Sequence, residues 1–224
     1  MSVALVADAH LGGSSATPEE LVAQLEELPA AGCRRLVLLG DIFHVWVGDR
    51  RFETPAIRTV FPALERLRDR GLAIDYVEGN RDFFLTGSVY ATPFRTIGTE
   101  TTVEADGAKT LLVHGDGLDP SDRQYRFWRW LSKSALSRAL ILNLPRSIAQ
   151  RALDRTEARI ARTNFRHRQR LPREAITRYA EARLAEGFDT VVVGHFHEPA
   201  EWEVAGGRVR ILDAWFNSRR VEWV

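Results

Sequence analysis

Short apolar runs recur along the chain, and each stops at residues able to bind or transfer charge. Val3–Ala7 ends at Asp8, Leu36–Leu39 ends at Gly40-Asp41, and Ala73–Val77 runs into Gly79-Asn80-Arg81-Asp82. Thr110–Val113 delivers His114, and Thr190–Val193 delivers Gly194-His195. Short uninterrupted apolar runs of this kind predict buried strands. Between them the period lengthens. Thr17-Pro18-Glu19-Glu20 supplies an N-cap, a proline at the first helical position and a glutamate at the third. Leu21, Leu25 and Leu28 follow at helical spacing, and Gly32 closes the segment. Thr54-Pro55 opens a second helix with Ile57, Val60, Phe61, Leu64 and Leu67 on one face and Gly71 past its end. A third is predicted over Pro172–Glu186, stopped by Gly187. Hairpins are expected about Asp106-Gly107 and Gly206-Gly207.

This alternation predicts a single mixed α/β domain over 1–224, with polar residues at the carboxyl ends of successive strands. That is where ligands bind in open α/β sheets. Residues 117–187 depart from the pattern. They are mostly helical, add no evident strand, and are expected to form a helical cap inserted in the domain.

Composition narrows the class. With 224 residues, 45% apolar and 27% charged, the chain has the balance of a globular domain and is long enough for a full core. No stretch of about 18 apolar residues suggests a spanning helix. The N-terminus enters its first strand without a basic leader or h-region, so a cytoplasmic protein is expected. The single Cys33 excludes a disulfide framework and predicts a buried thiol. Trp46, Trp202, Trp215 and Trp223 are expected in the core. The net charge of +1 hides an asymmetry: 117–187 holds fifteen Arg and one Lys against seven Asp and Glu, a net of +9, which leaves −8 elsewhere. A cationic insert suits an anionic substrate or an anionic membrane surface. Nucleic acid is not an expected partner, since the overall charge is small and no reading motif is visible.

The candidate chemistry lies in five motifs in fixed order: Asp8-Ala9-His10, Gly40-Asp41, Gly79-Asn80-Arg81-Asp82, His114-Gly115-Asp116 and Gly194-His195-Phe196-His197. Singly each is weak; together they offer enough carboxylate, imidazole and amide donors for two divalent ions. Without a thiolate the donor set is hard to borderline, which favours Mn²⁺ or a related first-row ion over structural zinc. A pair of such ions, roughly 3.5–4 Å apart, can activate water at neutral pH and clamp a phosphoryl group. Asp41, the central carboxylate, is the expected bridge. Asp82 and Asp116 are expected to orient ligands from behind.

These motifs, in this order, resemble the calcineurin-like metallophosphoesterases. The resemblance implies a two-layer mixed β-sandwich flanked by helices. It also implies a ligand division: Asp8, His10, Asp41 and His197 on one metal, and Asp41, Asn80, His114 and His195 on the other. Gly79-Asn80-Arg81-Asp82-Phe83-Phe84 and Gly40-Asp41-x-Phe43-x-x-Trp46-x-Gly48-Asp49 are similar to the branch that cleaves the pyrophosphate of UDP-2,3-diacylglucosamine in lipid A biosynthesis, although His44 replaces an acidic residue usual there. That branch implies a lipid-linked UDP-sugar as substrate and a peripheral position at the inner membrane. It implies that Asn80, Arg81 and His195 act on the phosphates, with Arg81 offering a planar fork. It further implies that Asp122, Asn164 and His167 contact the head group. Ile160 stands where a matching Ser would be expected.

Phe127-Trp128-Arg129-Trp130-Leu131 and the Leu- and Ile-rich stretch that follows permit two readings: a helix pair packed on the domain, or an apolar chamber for acyl chains whose outer face meets a membrane. The alternative substrate is a soluble nucleotide or another phosphate ester. A non-catalytic scaffold fits poorly, because all seven candidate metal ligands are present.

Overall fold

A computed structural model of the chain describes residues 2–105, 107–120, 123–151, 155 and 171–224. Two five-stranded sheets face each other. The first has the order β12-β1-β2-β4-β6, formed by Glu222–Trp223, Val3–Val6, Arg35–Leu38, Ala73–Val77 and Thr96–Gly98. Its neighbours run parallel except β12, which lies antiparallel to β1. The second has the order β10-β11-β9-β8-β7, formed by Ala200–Val204, Gly207–Ile211, Thr190–Val193, Ala108–Val113 and Glu100–Ala105. There β8, β9 and β11 are parallel, flanked by antiparallel β7 and β10. A two-stranded sheet pairs β3 (Trp46–Val47) with β5 (Asp82–Phe83).

Strand alternation sorts the apolar residues into three layers. Val3, Leu5, Val37, Leu39, Val77, Leu112 and Val192 meet between the sheets. The opposite faces of the first sheet, including Ala4, Val6, Leu36, Leu38, Ile74 and Tyr76, receive α1 (Pro18–Glu27) and α2 (Pro55–Asp69). The outer face of the second sheet, with Leu111, Val113, Val191, Val193 and Val209, receives Ile176 and Ala180 of α5 (Arg173–Ala185). The parallel strands are thus covered on both faces, which is why their sequences run almost unbroken in apolar residues. A charged side chain lies among them: Asp75 is fully buried and accepts from Arg35, Arg95 and Thr96. Burial would raise its carboxyl, but these donors outweigh it and hold the group below the ordinary range.

The helix starts follow their sequence signals. Thr17 and Glu20 form a reciprocal capping box, and Thr54 caps α2 ahead of Pro55. Cys33 is buried, as are Trp46 and Trp215, while Trp202 packs half-buried against the second sheet. Trp223 departs from the expectation. It lies on the edge strand β12 and is 40% exposed, because that strand has a neighbour on one side only.

Two further helices, α3 (Arg123–Ser132) and α4 (Ala135–Asn143), follow the loop that bears His114. Tyr125, Ile141 and Ala149 join Val47, Phe52 and Phe83 in a separate apolar cluster against the small sheet. A short α6 (Trp215–Ser218) precedes β12.

Candidate metal centre

β1, β2 and β4 are neighbours in the first sheet, β8 and β9 neighbours in the second, and all five motifs leave the carboxyl ends of these strands. Packing the sheets face to face therefore brings loops from distant parts of the sequence to one rim. The loops turn abruptly there. Asp8, His10, Asp41, His195 and His197 have φ of 54°, 46°, 53°, 67° and 59°, in the left-handed region that L-residues with side chains seldom occupy. Such conformations persist only where surrounding bonds impose them. Asp8 N–H donates to the Gly40 carbonyl at 3.1 Å and His10 N–H to the Asp41 carbonyl at 3.0 Å. His195 N–H donates to Asp8 Oδ2 at 2.7 Å, and Arg81 N–H to Asp41 Oδ1 at 2.9 Å. Each carboxylate thus holds the loop of another motif. Gly79 is required by space: a Cβ there would lie 2.2 Å from Asp41 Oδ1.

Three donor atoms converge first. His197 Nε2 is 3.1 Å from Asp8 Oδ1 and 3.4 Å from His10 Nε2, and His10 Nε2 is 3.7 Å from Asp8 Oδ1. A second group brings Asp8, Asp41 and His114 together, with donor atoms within 4.8 Å of one another. His114 Nε2 is 3.8 Å from Asp41 Oδ1 and 3.3 Å from Asn80 Oδ1. The other ring nitrogen, Nδ1, lies 2.8 Å from the Leu39 carbonyl. A carbonyl only accepts, so Nδ1 carries the proton, and Nε2 is the nitrogen turned to the centre, where it would face a bound cation with its lone pair. His195 is buried with its ring 5.1 Å from that of His114.

The titration behaviour is that of a crowded site. Burial lowers His10 to about 2 and His195 to about 3, so both imidazoles are neutral at physiological pH with lone pairs available. Burial would raise Asp8, but His114 and His197 outweigh it and hold that carboxyl far below its ordinary value. Burial and the nearby Asp8 raise Asp41 despite His114. Asp82 is raised to about 7 by burial and by Asp41. Neutral imidazoles, an amide oxygen and buried carboxylates turned toward one point are a donor set that a divalent cation satisfies.

Several side chains take partners that the sequence does not announce. Asp8 belongs to both groups of donors, whereas Asp41 belongs to the second. Asp82 supports the backbone: it accepts from Asp41 N–H at 3.1 Å and Gly79 N–H at 2.7 Å. Asp116 accepts from Tyr125 Oη at 2.7 Å and from Arg129 Nε. The reason is proximity: α3 passes over the His114 loop and brings two donors to that carboxylate. The Arg81 guanidinium lies over the site, with Nε 3.6 Å from Asp41 Oδ2 and Nη1 donating to the His44 carbonyl at 3.1 Å. That pairing depends on a loop crossing, and no sequence spacing signals it. Asp122, Asn164, His167 and Ile160 lie outside the described residues.

The sequence profile of the calcineurin-like phosphoesterase superfamily domain matches residues 1–136. A Stenotrophomonas maltophilia protein named UDP-2,3-diacylglucosamine hydrolase is 30% identical over 236 residues, spanning 99% of this chain and 94% of that one. A protein of the same name from Xanthomonas campestris pv. campestris is 30% identical over 238 residues, with the same coverage of both chains. A solved structure described as a novel archaeal phosphodiesterase is 12% identical, covers 100% of this chain and 99% of its own, and gives a TM-score of 0.47.

Proposed function

Because the chain belongs to the calcineurin-like phosphoesterase superfamily, whose members are metal-dependent phosphoesterases, we propose that it hydrolyses the pyrophosphate bond of UDP-2,3-diacylglucosamine. Water is consumed, and UMP and 2,3-diacylglucosamine 1-phosphate are released. The observation that carries this reading is the likeness to proteins named for that hydrolysis, which runs the length of the chain rather than stopping at the motifs. In this reading the protein works in lipid A biosynthesis, in the cytoplasm.

Asp8, His10, Asp41 and His197 would hold one divalent ion, and Asp41, Asn80, His114 and His195 a second, with Mn²⁺ suited to these donors. Bound there, the ions supply Lewis-acid charge on the phosphoryl oxygens and acidify water for attack at phosphorus. The chain's own residues do the rest. Arg81, anchored at the His44 carbonyl, keeps its guanidinium beside the centre, where its planar fork can hold phosphate oxygens through the displacement. His195, neutral through burial, can accept a hydrogen bond or a metal without first losing a proton. Asp122, Asn164 and His167 are assigned to the sugar head group by family resemblance.

The insert supports a lipid-linked substrate. Trp130 and Leu136 are 67% and 75% exposed, and Phe127, Leu140 and Ile148 are also exposed. Large apolar side chains left in water on a cationic segment suit the interface of an anionic membrane. No described helix is long and apolar enough to cross a bilayer, so the contact proposed is peripheral, at the inner membrane. Buried acyl chains would contribute roughly 0.8 kcal/mol per CH₂, which gives a lipid-handling cap an energetic use.

The test is an assay with added Mn²⁺ against UDP-2,3-diacylglucosamine in mixed micelles, a soluble UDP-sugar and a simple phosphodiester. UMP release from the lipid substrate at a kcat/KM far above the other two is the expected result. Preference for the soluble nucleotide would replace this reading with the soluble-substrate alternative.

A further inference from the structure

Three polar residues of α3 and its C-terminal end share one face. Tyr125, Arg129 and Lys133 recur every fourth residue along α3 and just past its end, which sets them on one helical face. All three reach loops of the metal centre. Tyr125 Oη and Arg129 Nε converge on Asp116, two residues past His114. Lys133 Nζ donates to the Gly79 carbonyl at 2.7 Å, immediately before Asn80, and lies 3.8 Å from Glu78 Oε2. A third tie comes from the loop after the second motif. Asp49 grips Arg51, which donates to the Leu142 and Leu144 carbonyls at the end of α4 at 2.6 and 3.0 Å. Those carbonyls would otherwise be unsatisfied helix ends.

The apolar side of α3 is much less engaged. Phe127 and Trp130 are exposed, and among the described residues of α3 only Tyr125 is fully buried. The helix is thus held down by charge-assisted hydrogen bonds more than by hydrophobic packing. Bonds to buried charged partners are directional and fix a helix's register over the surface beneath it. Asp116 is itself almost wholly buried, so its ties are little screened by water.

We propose that Asp116, Arg129 and Lys133 are positioning residues: a clamp that seats α3 beside the metal centre and thereby sets the enzyme's grip on a large acylated substrate. Its hydrogen bonds run to the Asp116 carboxylate and the Gly79 carbonyl rather than to the proposed metal donors' side chains. It acts through the placement of α3, and its kinetic part rests on the lipid-substrate reading above. Small diesters reach the metals without using the insert, so the clamp distinguishes substrates by size.

The experiment uses Arg129→Met, Arg129→Lys and Lys133→Met in the full chain with Mn²⁺. Two substrates are compared: UDP-2,3-diacylglucosamine in mixed micelles and bis(4-nitrophenyl) phosphate. In Arg129→Met, KM for the lipid substrate is expected to rise about tenfold or more, while kcat/KM for the small diester stays within about twofold. Arg129→Lys should recover part of the loss by restoring the charge. Amide hydrogen exchange across 124–132 should quicken about tenfold, with β8 unchanged. Arg129→Met leaves a buried carboxylate unpaired, so Asp116→Asn/Arg129→Met, which removes both charges, is the control for misfolding and should show the same split. An equal fall on both substrates, or a freed α3 with unchanged lipid KM, overturns the proposal. If the wild type does not act on the lipid substrate, the substrate reading fails by itself. The clamp is then decided by hydrogen exchange, and unchanged protection of α3 in both Arg129 variants refutes it.

Discussion

The rim of candidate metal donors and the helices α3 and α4 beside it are built on opposite plans. The rim is made of strand ends locked from below by two apolar layers, and Asp8, Asp41, Asn80 and His114 are nearly inaccessible to solvent. Its side chains have little freedom: Asp8, Asp41 and His114 each hydrogen-bond the backbone of another motif or strand, and Asn80 meets the His114 ring. Helices α3 and α4 place Trp130, Leu136 and Leu140 in water and are held by a small apolar cluster around Tyr125 and Ile141 and by a few polar ties. A site that is to hold divalent cations at a fixed separation would need the first plan. A surface that must accept long flexible acyl chains can use the second, since a loosely packed face can change its contacts without disturbing the centre.

The sharpest way to break this contrast is to remove a carboxylate from the rim. Asp41→Ala should cut hydrolysis on the order of 10³-fold for every substrate, since it deletes a preorganised charge, and should lower bound metal measured by plasma mass spectrometry. Asp8 is common to both donor groups, so Asp8→Ala provides the comparison. If Asp41 bridges, its loss depletes both metals and the loss of Asp8 depletes one. The opposite outcome moves the bridge to Asp8.

Arg81→Lys is expected to lower turnover by about 10- to 100-fold with metal content unchanged, because an ammonium cannot reproduce a two-point contact. Unaltered kinetics would take Arg81 out of phosphate binding.

The rim should also reveal itself in the pH dependence of the metal-stripped protein. His10 and His195, at about 2 and 3 when folded, bind protons in the unfolded chain below about 6.5. Between about pH 4 and 6.5 the unfolded state therefore holds two protons that the folded state lacks. Asp82, raised to about 7, reverses one of them. Asp41, also raised, takes back part of the other, so stability should rise with pH across that window by less than about 1.4 kcal/mol per unit, read from urea midpoints. A flat profile would mean that these imidazoles are not buried without metal.

The smallest effect belongs to the insert. Trp130→Ser/Leu136→Ser should leave thermal stability and small-diester hydrolysis nearly unchanged, within about 0.5 kcal/mol. It should reduce sedimentation with anionic vesicles and lower lipid turnover a few-fold. Equal binding by the variant and the wild type would remove this face from membrane contact.

Much of the rim can be read from the sequence, because strand termination and helix capping are local events. Thr17 and Thr54 cap as their neighbours dictate, and His114 and His195 stand where an apolar run stops. What escapes is set by distance. Nothing near Glu222-Trp223 indicates pairing with β1, and nothing near Asp116 indicates that α3 will cross it. The left-handed turns at Asp8, His10, Asp41, His195 and His197 are equally hidden, since aspartate and histidine adopt many other conformations.

Those five turns limit what could be transplanted. Grafting the same seven side chains onto another sheet would reproduce the atoms but not their aim, because five of the seven point where their reversed backbones send them. An engineer wishing to move this centre would have to carry the bends along with the side chains, and a scaffold firm enough to keep them bent.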